Sequence, residues 1–147
     1  MPASSPRLLR GAIDGQRLLA EVASDAAGAN VLFLGTTRGV TDGVATQALE
    51  YEAHEPMAVA ALETLRNEAM ERFGLLGCRI EHRLGVVAVG EASVAIATSA
   101  AHRREAFAAA EWLMEKIKAD VPIWKCELGP DGSRGWVHPD AMPGGSS

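Results

Sequence analysis

Residues 92–118 read ASVAIATSAAHRREAFAAAEWLMEKIK, and this stretch combines a strand with a helix. Its first part, 92–99, contains several β-branched residues and is typical of a strand. From His102 to Lys118 the apolar residues instead recur at steps of three and four, which predicts an amphipathic helix. The residues on that apolar stripe are Ala106, Ala110, Leu113 and Ile117. The chain is therefore expected to contain both helices and sheet.

Two further helices are predicted before this stretch. Residues 16–26 place apolar side chains at close to helical spacing, until Gly28 breaks the pattern. A longer helix begins near Pro56, which suits the first turn of a helix. Its apolar repeat runs to Phe73, and Gly74 ends it. The chain is thus expected to have about three helices.

Apolar or alternating runs predict the strands that complete the sheet. They cover residues 30–36, 45–52, 78–89 with a bend at Gly85, 92–99, and two short strands in IWKCELG and RGWVH around the turn GPDG. A loop, RGVTDG, separates the first two strands. Several strand pairs are joined by links too short for a parallel crossover. The expected fold is an α+β sandwich with mostly antiparallel strands.

The composition of the 147-residue chain fits one globular domain. Hydrophobic residues make up 48% and charged residues 22%, which is enough apolar material for a core at this length. The two ends, 1–7 and 139–147, are rich in Pro, Gly, Ser and Ala, so both are expected to be flexible. This leaves a single folded domain over residues 8–138.

Charge and motif content exclude several classes of function. The formal net charge of −5 opposes non-specific binding to nucleic acid. No apolar run reaches the roughly 20 residues needed to cross a membrane, and the start lacks a secretory signal, so a cytoplasmic protein with free thiols at Cys78 and Cys126 is expected. Phosphate-loop, dinucleotide-binding and serine-hydrolase motifs are absent. The Cys and His spacing matches no zinc site, so neither a metal nor a cofactor is expected.

The start of the last helix has the features of an anion site. His102 and Arg103 lie where a strand gives way to a helix, so free backbone N–H groups and the positive end of the helix dipole lie beside them. Cations at this end oppose the dipole at a cost of up to about 1 kcal/mol, which a bound anion would offset. The alternative is a solvated first turn with ordinary surface charges.

Two lysines flank the end of the same helix. Lys118 is near its last turn and Lys125 is in the strand that follows, with Pro122 between them. Two ammonium groups about 4 Å apart, at an effective dielectric constant near 20, repel by about 4 kcal/mol. Such repulsion lowers the pKa of one amine and yields a base or a nucleophile. In the alternative, both side chains extend into water on opposite sides, and the spacing leaves both arrangements open.

A loop arginine and a strand histidine complete the candidates. Arg38 follows a predicted strand in the glycine-containing segment FLGTTRG. A guanidinium can hold a phosphate through forked hydrogen bonds, although a lone loop arginine is usually a surface charge. His82, in HRLG, lies within a predicted strand and is given a structural role.

Five segments of the chain occur in the same order, and at similar separations, as in a known family. They are FLGTTRG, LEYEAHEPMA, HRLG, VGEASVAIATSAAHRREAF and KADVPIWKCE, which together span about residues 28–128. The chain therefore resembles the large, catalytic subunit of molybdopterin synthase, the MoaE-like family.

The resemblance implies an α/β hammerhead-like fold and a sulfurtransferase of molybdenum cofactor biosynthesis. Such a subunit pairs with itself, as a homodimer within a heterotetramer. It takes sulfur from the thiocarboxylated C-terminus of a small ubiquitin-like carrier subunit. Two sulfurs pass to cyclic pyranopterin monophosphate and form the dithiolene of molybdopterin.

The resemblance also implies a set of site residues. Lys118 and Lys125 match catalytic lysines: Lys118 acts at the carrier's terminal carbonyl, as a nucleophile or as an acid–base group, and Lys125 binds substrate or the carrier's tail. Arg38, His102 and Arg103 match the positions that hold the cyclic phosphate, in a pocket shared across the dimer. The neighbours expected to line the site are Thr36, Thr37, Cys126 and Glu127.

Two other functions fit the same residues. A non-catalytic module for anions or nucleotides would use Arg38 and the start of the last helix without doing chemistry. An inactive scaffold would keep the fold and the dimer but make no product. Replacing Lys118 by alanine separates an enzyme from a binding module, because only the enzyme should lose turnover while it still binds its ligands.

Overall fold

The structure is a computed structural model, and it describes residues 6–41 and 43–137. Within these residues the helices are α1 (Gly15–Val22), α2 (Glu55–Phe73) and α3 (Arg103–Asp120). The strands are β1 (Arg7–Leu9), β2 (Ala29–Thr36), β3 (Val40–Thr41), β4 (Val44–Ala45), β5 (Ala48–Ala53), β6 (Gly77–Arg83), β7 (Gly85–Ala88), β8 (Ala92–Ala100), β9 (Ile123–Leu128) and β10 (Arg134–Val137).

The first sheet carries the core of the molecule. Its strand order is β1-β6-β8-β2, and β1 runs parallel to β6 whereas the other pairs are antiparallel. On one face Ile96 packs with Leu62 of α2 and Leu113 of α3. On the other face Ala95 and neighbouring residues pack with α1. Because helices cover both faces, every residue of β8 from 93 to 100 is buried.

The second sheet has the order β10-β9-β5-β7, and all its pairs are antiparallel. In the central pair, Tyr51 of β5 lies directly opposite Lys125 of β9. Strands β3 and β4 form a separate two-stranded hairpin. The end of α3, through its C-cap at Val121, leads directly into β9 and so joins the two layers.

A buried carboxylate fastens the first helix and the first strand to the sheet. Glu81 of β6 is only 2% exposed, and its carboxylate accepts hydrogen bonds from Arg7 of β1 and Arg17 of α1. The closest N–O distance is 2.7 Å in both ion pairs. Glu21 of α1 adds a second carboxylate, which pairs with Arg17 and with Arg79 of β6. Two guanidinium groups thus offset the free-energy cost of burying the Glu81 carboxylate.

Two glycines end elements where the sequence predicted a stop or a bend. Gly74 closes α2 in the left-handed conformation, with φ at 62°, which a residue without Cβ adopts freely. Gly85, with φ at 86°, is the first residue of β7, just after the end of β6, where the chain passes from one sheet to the other.

The predicted α+β class, with three helices among the described residues and mostly antiparallel strands, is confirmed. The loop predicted over residues 38–43 instead contains β3, because Val40 and Thr41 pair with β4. The predicted C-terminal tail, 139–147, lies outside the described residues, as does most of the N-terminal one, 1–7, whose last residue begins β1. No helix in the described part of the chain is long and apolar enough to span a membrane.

Candidate active site

Three cationic side chains from different elements lie close together. Lys118 is in the last turn of α3, Lys125 is in β9, and Arg38 follows β2. Burial lowers the pKa of Lys125, and the charges of Lys118 and Arg38 lower it further, whereas Glu127 raises it in part. Partial burial and the charge of Arg38 likewise lower the pKa of Lys118, whose side chain is largely exposed. The structure thus brings together the two lysines, and we call Arg38, Lys118 and Lys125 the cationic cluster.

The chain between the two lysines turns sharply. Val121, the C-cap of α3, has extended backbone angles, φ −94° and ψ 131°. Pro122 explains this, because a proline disfavours the helical conformation in the residue before it. The Pro122 carbonyl accepts a hydrogen bond from the His54 backbone N–H at 3.3 Å, at the start of α2. The turn is therefore anchored, and it sends Lys125 into β9 beside the end of α3.

Arg38 lies in a loop at the end of β2 that backbone hydrogen bonds hold in place. The pairing of β2 with β8 shifts register between Gly35 and Thr36, and such a bulge re-aims the chain that follows. The Thr37 backbone N–H donates to the Glu91 carbonyl at 3.1 Å, and the Thr37 carbonyl accepts from Gly90 at 2.9 Å. Thr36 and Arg38 are exposed, whereas Thr37 is 3% exposed. Among the described residues, the buried Thr37 hydroxyl has no hydrogen-bond partner.

The residues beside Lys125 on β9 fall on two faces of the sheet. Side chains alternate along a strand, so Glu127 shares the face of Lys125 and Cys126 takes the other. Cys126 is fully buried, and its Sγ donates to the Glu127 carbonyl at 3.8 Å. The structure therefore supports a place beside the cluster for Glu127, and it turns the Cys126 side chain away from Lys125.

His102 and Arg103 lie at the far end of α3. Both are exposed, and His102 is the N-cap residue without a side-chain capping hydrogen bond in the described part of the chain. Fifteen residues separate Arg103 from Lys118, which corresponds to about 22 Å along the helix axis. Within one chain, the predicted phosphate-binding residues are therefore split between the cationic cluster and this helix start.

The cationic cluster can bind anions, and its lysines are neutral more often than an ordinary lysine because their pKa values are lowered. A lowered lysine pKa increases the share of neutral amine near neutral pH, which suits proton transfer or nucleophilic attack. The thiols do not offer a second nucleophile: both cysteines are buried, and burial raises the pKa of Cys78 to about 12. Across the described residues, no three His, Cys, Asp or Glu side chains are grouped to hold a metal ion.

The comparison with known proteins identifies the family. The family described as MoaE protein matches residues 9–120 of this chain. The chain belongs to the MoaE family. The molybdopterin synthase catalytic subunit of Aspergillus fumigatus is 42% identical over 147 residues, covering 92% of this chain and 78% of that protein. The corresponding protein of Emericella nidulans is longer, and the MoaE-family chain spans 60% of it.

Solved structures agree with this membership. Molybdopterin synthase from Staphylococcus aureus matches the MoaE-family chain with a TM-score of 0.86 and 34% identity, covering 93% of this chain and 98% of that one. A complex of subunits 1 and 2 of the molybdopterin-converting factor from Helicobacter pylori matches with a TM-score of 0.76 and 26% identity, covering 96% and 94%. The family predicted from the five sequence segments is thereby confirmed.

Proposed function

We propose that this chain is the catalytic subunit of a molybdopterin synthase. It transfers two sulfur atoms from the thiocarboxylated C-terminus of a small ubiquitin-like carrier subunit to cyclic pyranopterin monophosphate. The observation that carries the mechanism is the cationic cluster, in which two lysines with lowered pKa lie beside Arg38. The reaction itself is inferred from membership of the MoaE family. The similar structure from Helicobacter pylori is a complex of subunits 1 and 2 of the molybdopterin-converting factor.

The cluster suits both anions of this reaction. The carrier tail ends in an ionised thiocarboxylate and the pterin carries a cyclic phosphate, so each is attracted by Arg38 and Lys125. Lys118, in its neutral form, then acts at the carrier's terminal carbonyl. As a nucleophile it would act after the thiocarboxylate sulfur has bonded to a pterin carbon and displaced an oxygen from it. The amine would then form an amide with the carrier while the bond between the carrier carbonyl and sulfur breaks, its electron pair staying on the sulfur now held by the pterin, and water would later cleave that amide. As a proton carrier it would form no such adduct, so mass spectrometry of Lys118 distinguishes the two routes.

The phosphate pocket is completed by a second copy of the chain. Arg103 lies about 22 Å from Lys118 along α3, and His102 is one residue further. This is too far for one chain to gather all the predicted phosphate ligands around a single pterin. In a symmetric pair, the helix start of one copy approaches the cationic cluster of the other. We assign Thr36 and Thr37, which precede Arg38 in the chain, to the Arg38 side of this shared pocket.

The proposal includes the cytoplasm as the site of action. Both cysteines are free and buried, which suits a reducing compartment. Cell fractionation with an antibody to the chain would test this location directly.

The decisive experiment is reconstitution of the reaction. The purified chain is mixed with thiocarboxylated small subunit and cyclic pyranopterin monophosphate, and dithiolene product is measured. Lys118→Ala should lower the turnover at least about a hundredfold, because it removes the reacting amine. It should still bind the carrier, and its stability should change by less than about 0.5 kcal/mol because the side chain is exposed.

Lys116→Ala is the matched control, since Lys116 is an exposed lysine two residues earlier on α3, beside the Trp112 ring. It should retain the wild-type turnover. Absence of product from the wild type, with a carrier known to be charged with sulfur, would reject the synthase and favour the binding module or the inactive scaffold. Full activity in Lys118→Ala would reject the assigned role of Lys118.

A further inference from the structure

The loop that carries Arg38 lies against a short turn between β7 and β8, which we call the β7–β8 turn (residues 89–91). Thr37 forms two backbone hydrogen bonds with this turn. Its N–H donates to the Glu91 carbonyl at 3.1 Å, and its carbonyl accepts from the Gly90 N–H at 2.9 Å. The residue just before Arg38 is therefore held through both of its backbone polar groups, and the position of the turn determines where the loop lies.

The residue after Arg38 contacts the same turn. Gly39 faces Val89, whose Cγ1 would lie 3.4 Å from a Cβ at the glycine position. The Gly39 carbonyl also accepts a hydrogen bond from the Thr46 N–H at 2.9 Å, at the base of the β3–β4 hairpin. Because both chain neighbours of Arg38 contact the β7–β8 turn, a movement of the turn would carry Arg38 with it.

An ion pair closes the β7–β8 turn. One carboxylate oxygen of Glu91, Oε1, accepts from the Ala88 backbone N–H and from Nη1 of Arg83, both at 3.2 Å. The Nη2 of Arg83 donates to the Val86 carbonyl at 3.3 Å. Arg83 is the last residue of β6, so its guanidinium joins the first sheet to β7 in the second sheet and to the turn. The turn is therefore held by side chains as well as by its own backbone.

This ion pair is too exposed to contribute much to the stability of the whole fold. The side chain of Glu91 is 49% exposed and that of Arg83 is 15% exposed, and ion pairs in contact with water are weak. A local role has a clearer physical reason. Arg38 lies close enough to Lys118 and Lys125 for its charge to lower the pKa of both, and like charges repel. The Arg38 loop therefore needs an attachment that resists this repulsion.

We propose that Arg83 and Glu91 are positioning residues for Arg38. Their ion pair fixes the β7–β8 turn, and the turn holds the Arg38 loop against the repulsion of the lysines. Glu91 acts through this turn and not through its own charge. Within the described residues, the charges that shift the pKa of the two lysines are those of Arg38, Lys118 and Glu127. The placement of Arg38 is independent of the proposed function, and only the kinetic consequence rests on it.

The first test compares Glu91→Ala with Glu91→Gln, which keeps an oxygen acceptor for Ala88 and Arg83. Lys118 is acetylated with limiting acetic anhydride at several pH values, and mass spectrometry of its peptide reports the neutral fraction of the amine. Glu91→Ala should shift the labelling curve to higher pH, because an Arg38 that moves away lowers the pKa of Lys118 less. Glu91→Gln should stay close to the wild-type curve. Loss of a nearby negative charge alone would instead shift both variants to lower pH.

A double-mutant cycle tests whether Glu91 acts through Arg38. Arg38→Ala sets the largest expected shift, since it removes the charge altogether. Adding Glu91→Ala to Arg38→Ala should change the curve no further, because the two residues belong to one chain of contacts. Arg83→Ala should reproduce the shift of Glu91→Ala. The matched control is Glu68→Ala, because Glu68 is 50% exposed and pairs with Arg72 on α2, and it should keep the wild-type curve.

The reconstituted reaction gives the kinetic readout. Glu91→Ala should lower kcat/KM for the pterin by about ten- to a hundredfold, because a displaced Arg38 no longer lies where the phosphate is proposed to bind. The pH profile of kcat should move to higher pH, in the same direction as the labelling curve. Glu91→Gln should retain most of the activity, and Glu68→Ala should match the wild type.

Unchanged Lys118 labelling in Glu91→Ala would overturn the proposal, and so would an equal shift in Glu68→Ala, since that would reflect general loosening. A further shift on adding Glu91→Ala to Arg38→Ala would also overturn it, because Glu91 would then act independently of Arg38. A wild-type protein that makes no product would count against the proposed synthase, whereas the labelling experiment needs neither carrier nor pterin and would still decide the role of Glu91.

Discussion

Lys125 carries its charge at a partly buried position beside Lys118 and Arg38. Its pKa is lowered, so the unfolded chain binds the proton more tightly than the folded one does. Between the folded pKa and the ordinary value of about 10.4, the unfolded state holds more protons, and stability rises with pH. At neutral pH the protonated lysine therefore destabilises the fold.

Replacing Lys125 by methionine should stabilise the protein at pH 7 while abolishing turnover. The gain in the free energy of unfolding should be about 0.5 kcal/mol or more, and it should shrink as the pH approaches 10.4, where the wild-type lysine loses its proton in both states. Urea denaturation at neutral and alkaline pH measures the difference. Lys116→Met, at an exposed position of α3, should give no such gain. A Lys125→Met protein that is no more stable than wild type at pH 7 would contradict the prediction.

At this scale the sequence predicted the residue types better than their contacts. Lys118 and Lys125 were recognised as a pair that either converges or separates, and only the turn at Pro122 and the pairing of β9 bring them together. Cys126 was expected to line the site, yet alternation along β9 turns its side chain away from Lys125. The sequence does not predict that Tyr51 lies beside Lys125, because this position depends on a strand pairing that one sequence does not reveal.

A buried charge contributes to the attachment of helix α1 to the sheet, together with apolar packing. Glu81→Gln keeps the size of the side chain but removes the negative charge that Arg17 and Arg7 share. Both arginines stay in contact with water, so the variant loses charge-assisted hydrogen bonds but leaves no buried unpaired cation, and the loss of stability should be about 1.5 kcal/mol. Chemical denaturation measures it. Glu68→Gln, in an exposed pair with Arg72 at 3.8 Å, is the control and should cost no more than about 0.5 kcal/mol. Equal losses in the two variants would contradict this role of Glu81.

Long periodic elements were the easiest to predict. The apolar stripe of α3 is buried as expected, and α2 ends at Gly74 as its pattern indicated. By contrast, β1 has three residues and pairs in parallel with the distant β6, so no local pattern marks it. The strand β3 falls within the segment 38–43 that the sequence predicts as a loop, since a two-residue strand leaves no alternation to detect. The helices could therefore be predicted from local sequence patterns, whereas the strands at the sheet edges depend on pairing with distant residues and could not.

The whole assembly is predicted to contain pockets built from two chains. A Lys118→Ala chain lacks the reacting amine but offers an intact His102, whereas a His102→Ala chain offers an intact Lys118. Each variant alone should be inactive or strongly impaired. Mixing them after dissociation should restore about a quarter of the wild-type activity, because half of randomly formed symmetric pairs are hybrids and each hybrid has one complete pocket.

The complementation is measured in the reconstituted reaction after the two variants are refolded together. Lys118→Ala refolded with itself is the control and should stay inactive. No recovery in the mixture would show that each pocket draws all its groups from a single chain. Such a result would require His102 to act elsewhere, given its place at the opposite end of α3 from Lys118.

The proposed placement of site residues at both ends of α3 also constrains how this family can change in length. One residue inserted in the helix would rotate everything beyond it by about 100° and shift it by about 1.5 Å. The directions of His102 and Lys118 about the helix axis would then differ by about 100° from their present relation. The two residues could no longer meet in the shared pockets of a symmetric pair. Insertions and deletions among relatives should therefore accumulate in turns, such as those at Gly43 and around Gly132, and α3 should keep the same number of residues between His102 and Lys118.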